Sequence, residues 1–151
     1  MLWRNGKIAM DPACCCEEGC CNAPSILVVT IDSGACSVSW NTNPFDATIS
    51  GVTNKWTGAT EGSGDCGVIM DTVEIWCDCT LGIYYLEIDG TLSDGYGTPY
   101  HIGPVASTSV DCTEATFAIV FTFDASPCCG TITFTCTPKA GASWSTYCAS
   151  P

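Results

Sequence analysis

The sequence predicts an all-β chain, an antiparallel β-sandwich or jelly-roll-like barrel with an N-terminal β-hairpin and a disulfide-rich loop. Three observations predict it. β-Branched and aromatic residues gather in short runs between Gly, Asp, Ser and Pro. Several runs alternate apolar and polar residues with the period of two that a half-buried strand needs. No apolar residue recurs at i, i+3, i+4 and i+7 over a helix-length window, so no amphipathic helix is expected. The runs amount to about seven to nine short strands, with turns at the spacing of a sandwich or barrel.

The elements follow in order. Asn5-Gly6 between two short apolar-containing stretches predicts a hairpin over 2–9, because both residues tolerate the positive φ of a type I′ turn. Its apolar side chains, Leu2, Trp3 and Ile8, are too few for an independent unit, so they are expected to dock on the body of the chain or on a neighbouring subunit. The stretch from Asp11 to Pro24 shows no apolar period and reads as a stapled loop, with Cys14, Cys15, Cys16, Cys20 and Cys21 close together. Disulfide geometry disfavours bridges between adjacent residues, so these cysteines are expected to reach elsewhere. Residues 1–24 are therefore read as an arm and loop, and 25–151 as a single β-sandwich domain.

Within that domain, Ser25 to Ile31 reads as a strand turned at Asp32-Ser33-Gly34, and Cys36, Val38 and Trp40 share one face of the next. A further strand is expected within Phe45–Val52. Residues 57–67 read as a Gly-rich loop that lacks the Lys and helix pattern of a phosphate loop. Val73, Ile75, Cys77 and Cys79 share a face, and Ile83 to Ile88 completes a hairpin with them. Residues 89–104 read as a long surface loop. The strongest hairpin joins Thr116–Phe123 to Thr131–Thr137. It aligns Phe117, Ile119, Phe121 and Phe123 on one strand, with Ile132, Phe134 and Cys136 on the other.

Composition narrows function. The 151 residues include sixteen Asp/Glu against four Lys/Arg, a formal net charge of −12. Such a surface repels phosphate backbones and anionic lipid, which argues against nucleic-acid or electrostatic membrane partners. No apolar run approaches membrane-span length, and the opening residues lack the pattern of a signal peptide. Fourteen cysteines place the chain in the disulfide-scaffold range. The expected structural disulfides draw on Cys14, Cys15, Cys16, Cys20, Cys21, Cys36, Cys66, Cys77, Cys79, Cys112, Cys128, Cys129, Cys136 and Cys148, with connectivity open. The alternative is a zinc or iron–sulfur cluster on Cys14, Cys15, Cys16, Cys20, Cys21, Cys128 and Cys129, although no C-x2-C knuckle is present.

Catalytic chemistry finds little footing. His101 is the sole imidazole, in a proline-bracketed stretch, and reads as a hydrogen-bonded loop histidine. The acids match no EF-hand pattern and read as a solvated face. No catalytic residue and no cofactor is expected. Trp40 and Trp76 sit in strand patterns and read as packing residues. Trp56, Tyr96 and Trp144 read as loop aromatics suited to an interface or to stacking on a surface glycan.

Several of these stretches together resemble a loose group of small Cys-rich β proteins of planctomycete-like bacteria and bacteriophages. They are Cys20-Cys21, Pro24 to Thr30, Trp56-Thr57-Gly58, Cys66, Trp76-Cys77, Cys112 and Cys129-Gly130-Thr131-Ile132-Thr133-Phe134. The opening Arg4-Asn5-Gly6-Lys7-Ile8-Ala9 and Asp11-Pro12-Ala13-Cys14-Cys15-Cys16 resemble the start of such proteins. The resemblance implies a non-enzymatic virion module, a capsid decoration (cement) or tail-appendage protein. Its expected partners are other virion proteins and copies of itself. A virion protein leaves the host by lysis, which reconciles abundant cysteine with the absence of an export signal.

Overall fold

Burial alternates along most strands, so each presents one apolar row inward and one polar row outward. The computed structural model describes residues 16–17, 20–34, 36–64, 67–78, 81–93, 95–111, 117–125 and 130–148, and among them there is no helix. In chain order the strands are β1 (Cys16–Glu17), β2 (Cys20–Pro24), β3 (Ile26–Asp32), β4 (Val38–Trp40), β5 (Phe45–Ile49), β6 (Trp56–Gly64) and β7 (Val68–Asp78). They continue with β8 (Ile83–Leu92), β9 (Pro99–Ala106), β10 (Ser109–Asp111), β11 (Ala118–Asp124), β12 (Thr131–Pro138) and β13 (Trp144–Cys148).

Ten of these form one antiparallel sheet in the order β10-β11-β12-β3-β5-β6-β7-β8-β9, with β4 paired to the end of β6. A small sheet, β1-β2-β13, joins the segment before residue 25 to the last described strand. It is tied to the main sheet: Ala23 lies in the core, the Ser25 amide donates to the Ser143 carbonyl, and the Trp56 indole donates to the Pro24 carbonyl at 2.9 Å.

The large sheet curls until β9 meets β11. Ser107 and Thr108 carry the chain from one margin of the sheet to the other. The Ser107 amide donates to the Tyr84 carbonyl of β8 at 2.8 Å, and the Thr108 amide to the Val120 carbonyl of β11 at 2.7 Å. Inside the curl lie Leu27 and Val29 of β3, Ile75 of β7, Leu86 and Ile88 of β8, and the phenylalanines of β11 and β12. Phe134 meets Phe45 and Phe123 edge-on, with ring centroids 6.2 and 5.1 Å away. Burying each such side chain stabilises by about 1.5–3 kcal/mol.

The alternation read from sequence holds for the β11–β12 hairpin, whose apolar rows are buried in full. Two expected loops are strands instead. Residues 57–67 were expected to be a loop because they are rich in glycine, yet most of them belong to β6. A Cβ on Gly58 would lie 2.7 Å from the Asp46 carbonyl oxygen, and one on Gly62 would lie 2.8 Å from the Trp40 ring. Those glycines mark close approaches within a strand. The 89–104 segment continues β8 to Leu92 and supplies most of β9, leaving only 93–98 as the connection. The β9 proline Pro104 lies where the β8–β9 register shifts, a position that tolerates a missing amide donor. The stretch expected as a stapled loop contributes β1 and β2, and β13 was not anticipated. The hairpin expected over 2–9 lies outside the described residues.

Candidate functional site

The densest set of charged contacts among the described residues lies on the outer face of β8 and β9. Asp89 and His101 are register partners across the two strands. The imidazole Nδ1 lies 2.6 Å from Asp89 Oδ1, while Nε2 lies 3.2 Å from Glu87 Oε2 and 3.2 Å from the Gly103 carbonyl oxygen. Carboxylates and carbonyls only accept, so an imidazole facing acceptors at both nitrogens satisfies them as the doubly protonated cation. The hydrogen bond to Asp89 raises its pKa above the usual imidazole value. The charges of Asp89 and Glu87 and the Gly103 carbonyl add to the rise, which outweighs desolvation acting the other way. His101 is thus a strand residue that fastens β9 to β8, whereas the sequence placed it in a loop.

Gly103 makes this geometry attainable. It has φ of +103°, and a Cβ there would lie 2.5 Å from the Leu86 carbonyl oxygen. It falls where the β8–β9 register shifts between Leu86 and Ile88, the irregularity that brings Glu87 within reach of the imidazole. On the inward side of β9, the Tyr100 hydroxyl reaches past Gly90 to donate to the Ile69 carbonyl of β7 at 3.0 Å. Burial, reinforced by Asp71 and Asp89, pushes that phenol's pKa up and keeps it a donor.

Beside the histidine, Trp76 and Tyr85 face each other across β7 and β8 with centroids 5.8 Å apart and planes 26° apart. The Lys55 ammonium sits 4.4 Å from the Trp76 ring centroid and 3.9 Å from Glu74 Oε1. Lys55, Trp76 and Tyr85 make a cross-strand ladder in which the indole carries a cation on one side and a phenol ring on the other. Trp76 therefore packs on the outer face, whereas Trp40 packs over Gly62.

The residues singled out from sequence scatter. Trp56, expected as a contact residue, is only 2% exposed and is held by Pro24, so it takes no part in an interface or glycan platform. It opens β6, and its indole has the buried acceptor that an interior tryptophan needs. Tyr96 is 90% exposed and Trp144 is 42% exposed against Phe117, in different parts of the fold. Leu2, Trp3 and Ile8 lie outside the described residues.

Among the expected disulfide cysteines, Cys36 is disulfide-bonded. Cys136 is a correction: it is a thiol sealed in the core opposite Val29 and Ile119, and burial pushes its pKa up. Cys77, also expected to be bridged, is half-buried against the core and lies opposite Tyr84. The side chains of Cys14, Cys15, Cys16, Cys20, Cys21, Cys66, Cys79, Cys112, Cys128, Cys129 and Cys148 lie outside the described residues. Among the described residues, no three His, Cys, Asp or Glu side chains gather as a metal site.

The sequence reading missed Glu87 and Asp89 as partners of His101. The signal was present, because Tyr85, Glu87 and Asp89 alternate on one strand face, but extending that strand past Ile88 was needed to see it. Compared with protein-family models, curated proteins and solved structures, the chain matches none.

Proposed function

We propose that the chain is a non-enzymatic structural protein of a bacteriophage virion, a capsid decoration or tail-appendage module that associates with copies of itself and with other virion proteins. In this reading the curled sheet is a closed, barrel-like wall, its cysteines serve mainly as cross-links, and its working location is the extracellular particle. One observation carries the non-catalytic part: both nitrogens of the chain's sole histidine face acceptors on Glu87, Asp89 and Gly103. While protonated, that imidazole fastens two strands and has no lone pair to offer a substrate proton. The assignment to a virion draws on the resemblance in Cys spacing and on an acidic, cysteine-rich composition.

The test is to purify phage particles from lysates of the source culture on a density gradient and search them for peptides of this chain. It is expected to co-band with particles, and reductant is expected to lower their thermal stability. A chain that remains entirely in the soluble fraction overturns the reading.

A further inference from the structure

β9 is the most lightly held of the long strands. Alone among the described strands of seven or more residues, it contains no buried residue. Only Tyr100, Ile102 and Val105 pack in part against the core. β9 ends the strand order and pairs with β8, while Pro99 and Pro104 bring no amide donor and the register shifts between Leu86 and Ile88. A segment with so little apolar burial opens at a lower free energy than the strands around it.

Two consecutive side chains tether it, one on each face. Inward, the Tyr100 hydroxyl donates to the Ile69 carbonyl of β7 at 3.0 Å, crossing β8 over Gly90. Outward, the half-exposed His101 imidazole is held by Asp89 at Nδ1 and by Glu87 and the Gly103 carbonyl at Nε2. The two tethers answer to pH differently. Burial pushes the Tyr100 phenol's pKa up, so that tether keeps its proton across the range in which an imidazole titrates. The imidazole satisfies acceptors at both nitrogens only while it carries both protons. A neutral ring keeps one N–H, and its other nitrogen then turns a lone pair toward an acceptor.

The charges around the ring sharpen that difference. Glu74 of β7 is the register partner of Glu87, Thr72 is the partner of Asp89, and Asp71 stands beside Thr72 where the β7–β8 register shifts. Lys55 is the one described lysine on this face, beside Glu74. The protonated histidine supplies the positive charge between the two acids of β8. Without it, Glu74, Glu87 and Asp89 crowd one face with only Lys55 to offset them, and like charges across adjacent strands weaken pairing.

We propose that His101 is a proton-operated latch on β9. With both ring nitrogens protonated it holds β9 to β8, and with one proton gone β9 opens away from β8 while the rest of the sheet stays folded. The direction follows from the same contacts. They raise the imidazole's pKa, so the latch is closed below the ordinary imidazole range and releases as pH rises through the value in the folded protein. The inference assigns the pH response to one strand and is independent of the virion reading.

The test is hydrogen exchange on the full, oxidised chain from about pH 5 to about pH 9, a range that brackets the imidazole. Mass spectrometry of peptides reads protection in 99–106 against β11–β12 as an internal reference, after correction for the intrinsic pH dependence of exchange. Wild type is expected to lose protection in 99–106 relative to the reference by at least about threefold over this range, the scale of one surface charge pair. His101→Gln is expected to show the reduced protection throughout, with no pH step. His101→Lys keeps a cation beside Glu87 and Asp89 and is expected to keep β9 protected to the alkaline end.

Protection in 99–106 that follows the reference at every pH overturns the latch and leaves the histidine a contributor to overall stability alone. A step that persists in His101→Gln also overturns it, as does a His101→Lys whose protection falls together with that of wild type. The first of these comparisons needs wild type only, so it decides the matter even where a variant fails to fold.

Discussion

His101 illustrates how one side chain sets a pH response. Its pKa is raised in the folded protein, so its contribution to stability is complete below the unfolded value of about 6.5 and is lost as pH rises through the folded value. His101→Gln is therefore expected to melt below wild type near pH 6, with the gap closing as the solution is made alkaline. Thermal melts of both proteins across that range check this, and a gap that widens with pH would refute it. The histidine was legible as a hydrogen-bonding residue. Its partners were not, because they depend on a strand extension and a register shift that composition does not encode. Trp56 shows the converse: an aromatic beside a Gly-rich run looks like a loop contact, and only the Pro24 carbonyl across the fold explains why it is inside.

At the level of strands, alternation in Val, Ile and Phe was enough to locate the β11–β12 hairpin and most of β3 and β7. The strand segments taken for loops, β6, β9 and the end of β8, carry glycine or proline. A Cβ at Gly90 would fall 1.9 Å from the Ile69 carbonyl oxygen and 2.9 Å from the Tyr100 hydroxyl. The strand omits a side chain there because a tyrosine from β9 passes over it to reach β7. Gly90→Ala is expected to destabilise the protein by about 1–3 kcal/mol, the range for forcing extra atoms into a packed site. Gly51→Ala, with open space around its Cβ, is expected to change stability by no more than about 0.5 kcal/mol. Chemical denaturation of the two variants beside wild type checks the contrast, and equal losses would mean that Gly90 is not a point of close approach. A Gly-rich segment in this chain therefore records where neighbours crowd the backbone, information that lies in the partner strands and not in the segment itself.

For the molecule as a whole, the cysteines divide into distinct environments. Cys36 is bridged, while Cys136 is a core thiol whose thiolate burial disfavours. Alkylation of the native protein is accordingly expected to leave Cys136 unmodified, and alkylation after denaturation without reductant is expected to label it. Intact mass on both samples, together with zinc and iron analysis, checks this. Labelling of Cys136 in the native state would mean that the core opens. Labelling of nearly all fourteen cysteines in the denatured sample, with stoichiometric metal, would favour a thiolate metal cluster over a disulfide scaffold. The all-β class was readable because it follows from local pattern. The curl of the sheet was not, because it depends on which strand margins meet, and that is decided at Ser107 and Thr108.

Those two residues also bear on what happens when copies crowd together. An open sheet ends in two rows of unsatisfied amides and carbonyls, each able to template a strand from another chain. Here one continuous stretch of backbone forms both margins, pairing with β8 through β9 and with β11 through β10. Displacing that one stretch would therefore bare the edges of β8 and β11 in a single step. For a protein expected to work at high local concentration, the hold of that single stretch decides whether two templates for strand addition stay covered or appear together.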